Sequence, residues 1–390
     1  VVSSQTAWVK ANHPVEFMAA GMNCDLHLTD KLNVYKREVD RLEIELIPPC
    51  VNRSKALFSV SEGKIAYALG ALKNVGAEAM RLIEDERGHG PYLDLFDFAR
   101  RVDLRKIGKR PLEMLARSGA FDQLLSNRRA AFESLDKLVG YSGAIFDQKA
   151  SNQVSLFGDA GEDLPPPRLS TADDWLPTER LSEEHQAVGF YLSGHPLDDY
   201  LGALRRQRPP VMTLAEVTQK SANGPLAAKL AGTVSGIQLR KSARGTRYAF
   251  VQLSDPSGLY EVTVFSDTLE AARDILVPGR SVILSVEANL EADELKLLAR
   301  SVVEIDSRVA AGAPMGLKVF VDTPDAMATI ANILSQPAPT GARPAPVNLV
   351  LMAPDLPGEI ECPLPVPLPV TPQIKRAVKA VHGVVPVEDI

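Results

Sequence analysis

Hydrophobic positions recur at two different periods along the chain, and the change of period divides it. Up to about residue 150 they return every three or four residues, the stripe of an amphipathic helix. Pro14 stands at a favourable first helical position ahead of Val15, Phe17 and Met18. Thr29-Asp30 caps a second helix whose one face carries Leu32, Tyr35, Val39 and Leu42. Residues 44–47 read as a short strand stopped by Pro48-Pro49, and residues 58–67 as a hairpin turning at Gly63. In residues 69–83 apolar positions at helical spacing enter and leave a tight turn containing Gly76, the layout of a helix-hairpin-helix. Residues 128–141 give one more amphipathic helix.

Between residues 226 and 306 the period falls to two. Strand-like runs occupy 228–239, 247–253, 260–265, 280–288 and 295–305, with a short helix at 268–276. Five strands with a helix between the third and fourth is the order of an OB-fold barrel. From residue 315 the pattern alternates strand (317–321), helix (324–334), strand (347–351), a proline-laced segment, helix (371–381) and a final strand. Residues 362–369 fit at best an edge strand, because their prolines cannot complete a ladder. The fold class is therefore multidomain α+β: a helical region with a helix-hairpin-helix, then a five-stranded OB-fold β-barrel, then a small α/β domain. The expected boundaries are 1–60, 61–165, a linker and helical connector at 166–222, 223–308 and 315–390.

Composition sharpens this picture. A chain of 390 residues, 45% apolar, can bury several cores. Its net charge of −6 excludes a wholly basic nucleic-acid binder but leaves room for local patches. Residues 100–110 carry six cations against Asp103, and residues 220–247 carry six with no acid. Cys24, Cys50 and Cys362 are too few and scattered for a disulfide framework or zinc site, which favours a reducing cytoplasm. No apolar run approaches the roughly 20 residues of a membrane helix, so no membrane partner is expected. The first residues lack the layout of a signal peptide. Val1 to Trp8 open without a start methionine or a helix cap, as a piece of a longer protein would.

Three stretches carry candidate chemistry. The turn Lys73-Asn74-Val75-Gly76-Ala77 can bring backbone N–H groups and a helix start to a phosphate. Asn74 stands where such turns commonly place a glycine, and asparagine tolerates the left-handed conformation. An ordinary helical turn in a core reads these residues equally well. Lys106, Lys109 and Arg110, in the basic run that follows, tilt the reading toward duplex DNA. In the barrel, Arg240, Lys241, Arg244 and Arg247 stand beside Tyr248 and Phe250. That suits backbone tracking with base stacking on a single strand, against the alternative of core aromatics under a solvated loop.

The third stretch is Gln153-Val154-Ser155-Leu156-Phe157, an apolar island before residues 158–184, which hold eight acidic residues, two arginines and a triple proline. Such a composition cannot order itself. Leu156 and Phe157 then need a groove or a partner protein, with the Gln153 amide at the pocket rim. A local loop contact is the plainer alternative. His195, before a proline, reads as structural, since no nearby partner completes a catalytic or metal site. The chain offers no catalytic, cofactor or metal residues of its own.

Taken in order, the hairpin, the Gln-x-x-Leu-Phe island, Gly189-Phe190-Tyr191-Leu192-Ser193-Gly194-His195-Pro196 and the barrel closely resemble the alpha subunits of bacterial DNA polymerase III, the replicative family C polymerases. Gln5-Thr6-Ala7-Trp8-Val9-Lys10-Ala11 and Pro14-Val15-Glu16-Phe17-Met18-Ala19-Ala20 are similar to the end of their fingers domain, and the likeness weakens after about Met315. The resemblance implies that residues 1–60 end the fingers and that 61–165 form a clamp-binding domain. There the hairpin would bind double-stranded DNA, and Gln153, Leu156 and Phe157 would dock on the sliding clamp, the beta subunit. The barrel would approach the single-stranded template, and residues 315–390 would hold the tau subunit of the clamp loader. The parent would be a DNA-directed DNA polymerase whose palm carboxylates, with two Mg2+ ions, lie upstream of Val1. Asn74 departs from the family's common glycine and weakens that part of the carry-over. A DNA ligase would need a Lys-x-Asp-Gly nucleophile motif and usually a four-cysteine zinc site, and neither occurs. A non-enzymatic OB-fold binder of single strands would leave the hairpin idle. An error-prone family C paralogue is disfavoured by the intact clamp motif.

Overall fold

The computed structural model describes residues 2–150, 164–242, 245–291, 294–306, 316–324, 326–335, 344–352 and 359–389. They form two compact units, Val1–Ser193 and Gly194–Ile390.

The first unit opens on helices α1 (Val2–Asn12), α2 (Pro14–Cys24) and α3 (Thr29–Arg41). Pro14 fills the first position of α2, whereas α3 is capped by the Leu28 backbone without a side-chain bond, one residue before Thr29. A small sheet follows, from β1 (Leu46–Ile47), β2 (Ser59–Ser61) and β3 (Lys64–Ala66), in the order β1-β3-β2. Glu62 and Gly63 turn the β2-β3 hairpin at φ 52° and 72°, the left-handed pair that two-residue hairpin loops favour. Then come α4 (Ala77–Arg87), α5 (Leu95–Arg101), α6 (Leu104–Ile107), α7 (Lys109–Ser118), α8 (Arg128–Glu133) and α9 (Leu135–Ala150). One apolar core runs through them, from Met18 to Leu192.

That core reaches into the stretch expected to be a bare linker. Residues 164–176 lie extended on the helices, and α10 (Pro177–Val188) packs on α7. Leu164 and Leu169 rest on the helical core, and the Trp175 ring meets Phe132 at 5.7 Å. The carboxylates are consumed locally. Asp174 accepts from the Arg129 backbone N–H, Glu179 from that of Leu176, and Glu183 pairs with Arg117. The segment orders because it needs no core of its own; it covers one that already exists.

Glu184 is buried, and its carboxylate accepts the backbone N–H groups of Leu192 (3.0 Å) and Ser193 (2.8 Å), with Arg128 3.9 Å away. It thereby turns the chain so that Val188, Phe190 and Leu192 enter the core.

In the second unit α11 (Leu201–Arg206) and α12 (Leu214–Ser221) precede the barrel strands β4 (Leu226–Lys241), β5 (Arg247–Asp255), β6 (Gly258–Phe265), β7 (Ser281–Glu291) and β8 (Glu294–Glu304). Helix α13 (Ser266–Ala271) stands between β6 and β7. The barrel closes in the order β4-β5-β6-β8-β7, with β6 and β8 parallel and every other pair antiparallel. This is OB-fold connectivity. Val251, Leu253, Val262, Val264 and Leu284 point inward and are fully buried.

His195 is buried and structural, as expected. Its Nδ1 accepts from the Leu197 backbone N–H, so its Nε2 carries the hydrogen toward Ser254 Oγ at 3.0 Å. A histidine donating to serine is oriented against activating it.

The chain ends in a four-stranded sheet of β9 (Leu317–Val321), β11 (Val347–Leu351), β12 (Ile360–Pro363) and β14 (Val384–Asp389), ordered β12-β11-β9-β14. Helices α14 (Ala326–Leu334) and α15 (Pro372–Lys379) accompany it. The strands β10 (Pro344–Ala345) and β13 (Leu368–Pro369) pair separately. β12, with Cys362 and Pro363, is an edge strand, where a proline can be tolerated. Among the described residues no helix is long and apolar enough to cross a membrane.

Replacing Glu184 by alanine should lower stability by about 2 kcal/mol, because the buried Leu192 N–H and the part-buried Ser193 N–H lose a charged acceptor. Thermal unfolding of the variant checks this, and an unchanged melting temperature would contradict it.

Candidate nucleic-acid interface

Some of the residues singled out above stand on two surfaces, one in each unit. In the first, a single 3-10 turn, Leu69–Ala71, leads into Lys73-Asn74 and then α4. The entering element is thus shorter than the helix expected there. Asn74 adopts φ +58°, the left-handed conformation expected of it, while Gly76 is extended at φ −89° and caps α4. Val75 is buried and anchors the turn, leaving Lys73, Asn74 and Gly76 exposed. No side chain caps the start of α4, so its first N–H groups face outward.

A pocket of about 400 Å³ opens at this turn, and its far wall is His27 and Thr29 at the start of α3. Those two residues stand more than forty positions upstream, and no sequence signal linked them to the hairpin. The Lys73 N–H donates to the Ala187 carbonyl at 2.8 Å. Gly189, at φ +97°, gives the Lys73 stem room: a Cβ there would stand 2.5 Å from Lys73 Cε and would collide with Thr29. Burial, and then the Lys73 charge, hold His185 down to about 4, so it stays neutral beneath the lysine.

The basic run divides. Arg101 is structural: it donates to the carbonyls of Glu86 (2.7 Å) and Gly90 (2.8 Å) and lies over the Tyr92 ring. Arg105 pairs with Asp103 and Asp147, and Lys109 with Asp136 at 2.8 Å. These are exposed pairs and weak ones. Lys106 and Arg110 are exposed and have no ion pair among the described residues. All stand around Gly108, which turns the chain from α6 into α7 at φ +88°.

On the barrel, pairing sorts the candidates by face. Arg240 opposes Tyr248, Gln238 opposes Phe250, Tyr248 opposes Phe265 and Phe250 opposes Thr263. Arg240, Tyr248 and Phe250 therefore share the outer face of the barrel with Phe265, which is 51% exposed. Tyr248 lies 5.5 Å from Phe250 and 6.2 Å from Phe265, ring centre to ring centre. Neither Tyr248 nor Phe250 is buried; Ala249 and Val251 between and beyond them are. Lys241 and Arg247 oppose each other on the other face of the same hairpin arm. Among the described barrel candidates, Lys241 and Arg247 thus do not share the surface of Arg240, Tyr248 and Phe250. Phe265 was legible all along: in β6, Tyr260, Val262 and Val264 alternate inward, which sends Phe265 outward.

Gln153, Leu156, Phe157 and Arg244 lie outside the described residues. Among the described residues no group of three or more His, Cys, Asp or Glu side chains could hold a metal ion.

Residues 43–131 match a family model described as a helix-hairpin-helix motif, a span that contains both the Asn74 turn and the Gly108 turn. Over 100% of its length the chain is 39% identical to the DNA polymerase III subunit alpha of Caulobacter vibrioides, covering 34% of that protein. It is 33% identical to the same subunit of Escherichia coli over 78% of this chain and 27% of that one. The chain thus spans about a third of the length of these curated relatives. Among solved structures, the mitochondrial single-stranded DNA-binding protein Rim1 of S. cerevisiae is 20% identical over 20% of this chain and 94% of its own, with a TM-score of 0.19. The second OB-fold domain of replication protein A from Methanococcus maripaludis is 15% identical over 21% of this chain and 85% of its own, with a TM-score of 0.17. The resemblance read from the motifs therefore holds: along its whole length the chain matches the C-terminal part of DNA polymerase III alpha subunits.

Proposed function

We propose that this chain is the part of a DNA polymerase III alpha subunit that holds DNA and tethers the enzyme, positioning the strands for chemistry carried out elsewhere in the polymerase. The whole-length match to alpha subunits is the observation that carries the reading. In it, the Asn74 turn and the Lys106–Arg110 region take the phosphates of duplex DNA. The outer face of β4, β5 and β6 takes the single-stranded template. Nucleotidyl transfer, with its two Mg2+ ions, is assigned to the palm carboxylates of the whole alpha subunit.

Physical chemistry supports the division of labour. A base has a π-face whatever its identity, so Tyr248, Phe250 and Phe265 can stack on a strand without reading its sequence. Arg240, on the same face, supplies charge for the backbone. Gln153, Leu156 and Phe157 remain our proposed contact with the sliding clamp, and the α/β domain from β9 to β14 our proposed contact with tau. A stand-alone single-strand binder would account for the barrel but leave the helix-hairpin-helix unit without a purpose.

Two measurements test this. Changing Gln153, Leu156 and Phe157 together to alanine should weaken binding to the purified clamp at least about 30-fold, the loss of one interface hot spot or more. DNA affinity should stay within about twofold, and retained clamp affinity in a calorimetric titration would refute the tether. Separately, the Tyr248→Ala/Phe265→Ala double variant should lose about 1–3 kcal/mol of single-strand affinity per base no longer stacked. Blunt duplex affinity should not change; fluorescence anisotropy with both ligands checks it, and an unaltered single-strand affinity would remove the platform.

A further inference from the structure

The far end of β4 leaves the barrel. β4 pairs with β7 from Leu226 to Thr233 and with β5 from Thr233 to Lys241. From Gly236 onward, one of its edges therefore has no strand beside it among the described residues. The register shifts between Val234 and Gly236, leaving Ser235 out of the pairing, and an extra residue of this kind bends a strand away from its sheet. Beyond the bend the side chains alternate. Gln238 and Arg240 stand on the outer face, across from Phe250 and Tyr248. Leu239 and Lys241 stand on the inner one, across from Ala249 and Arg247. Ala249 and its next neighbour Val264 are fully buried, yet Leu239 in the same row is 69% exposed, because the flare carries it clear of the barrel. Charge alone would keep such an edge from pairing with a foreign strand, and a leucine in its middle does the opposite. Its presence is explained by a ligand that uses an apolar face flanked by cations.

We propose that the flared end of β4 is a pin that parts a DNA duplex where it runs into the single-strand platform. The template passes to the aromatic face, and its complement passes to the face of Leu239, Lys241 and Arg247. This rests on the single-strand reading of the barrel above and goes beyond it, because it adds strand separation and a path for the second strand. The charge favours DNA over a protein as occupant: residues 220–247 hold six cations and no acid. Lys241 and Arg247 are both exposed and oppose each other on the leucine face. Leu239 stands between that pair and the barrel, where an apolar side chain can wedge against a base step and unstack it. Tyr248, Phe250 and Phe265 are turned the other way, so the two strands meet different chemistry. A pin without fuel holds only pairs that open by themselves, and only as far as it prefers parted strands to paired ones. Each pair held open is roughly a tenfold disadvantage, which confines the effect to about the first one or two pairs.

The test uses the whole chain and a fork in which a single-stranded template runs into duplex. The reporter 2-aminopurine, whose fluorescence rises on unpairing, replaces an adenine of the complementary strand, either at the first pair or well inside the duplex. The inner face of β4 beyond Gly236 carries Ile237, Leu239 and Lys241, with no aromatic ring to quench it. The saturating wild-type chain should raise the signal at the first pair several-fold and leave the interior reporter unchanged. Leu239→Ser should lose that rise while keeping wild-type affinity for single strand, read by fluorescence anisotropy. Lys241→Gln/Arg247→Gln should weaken fork binding several-fold and lower its salt slope by about two, with single-strand binding much less affected. The altered side chains are exposed, and unfolding curves confirm that the variants fold. A wild-type rise in Leu239→Ser, or no rise when the wild-type chain is bound to the fork, would overturn the pin and leave the platform standing. Equal losses on fork and single strand in Lys241→Gln/Arg247→Gln would place that face on the template's path and overturn the second strand's. Failure of the wild-type chain to bind single strand at all would overturn the functional reading itself.

Discussion

A hydrogen bond of 2.8 Å, from the Lys73 N–H to the Ala187 carbonyl, holds the first unit's Asn74 turn to the segment that follows the acidic stretch. Much depends on it. Lys73 belongs to an exposed turn, and an exposed turn alone would be free to wander. Its backbone is pinned by α10, its stem runs over Gly189, and its charge sits above a neutral His185. Glu184 and Arg128 in turn fix the chain that carries Gly189. The groups we propose to face phosphate are thereby set before any ligand arrives, which reduces the ordering that binding would otherwise require.

The barrel solves the same problem by different means. A closed strand order leaves no loose edge, and alternation alone decides which side chains face out. Tyr248, Phe250 and Phe265 are placed on one face by backbone pairing, and the Tyr248 ring touches both of the others. The helical unit thus offers charge and N–H groups, the barrel offers aromatic faces. The first set suits a ligand whose phosphates are presented outward, the second a ligand whose bases are free.

Local patterns in the sequence were enough for the barrel and for the existence of the hairpin. Five period-two runs and an intervening helix define OB connectivity, and strand 317–321 and strand 347–351 coincide with β9 and β11. What failed to show were the consequences of distant pairing. The acidic composition of residues 158–184 argued against order, yet from Leu164 onward the chain finds cover on a core built by residues far upstream. His27 and Thr29 reach the hairpin pocket only through the packing of α3. Lys241 and Arg247 sat beside the aromatics in sequence but fall on the opposite face, because adjacent strand residues alternate. Arg101 and Lys106 are both cations of one basic run, and only their tertiary partners separate a structural guanidinium from an exposed ammonium.

The central claim is that one chain holds duplex and single strand at separate places. Affinity for a primer–template junction, measured by fluorescence anisotropy against the matching blunt duplex and the matching single strand, tests it most directly. Two sites joined in one chain should bind the junction at least about tenfold tighter than either ligand alone. A junction bound no better than the stronger of the two would contradict the account.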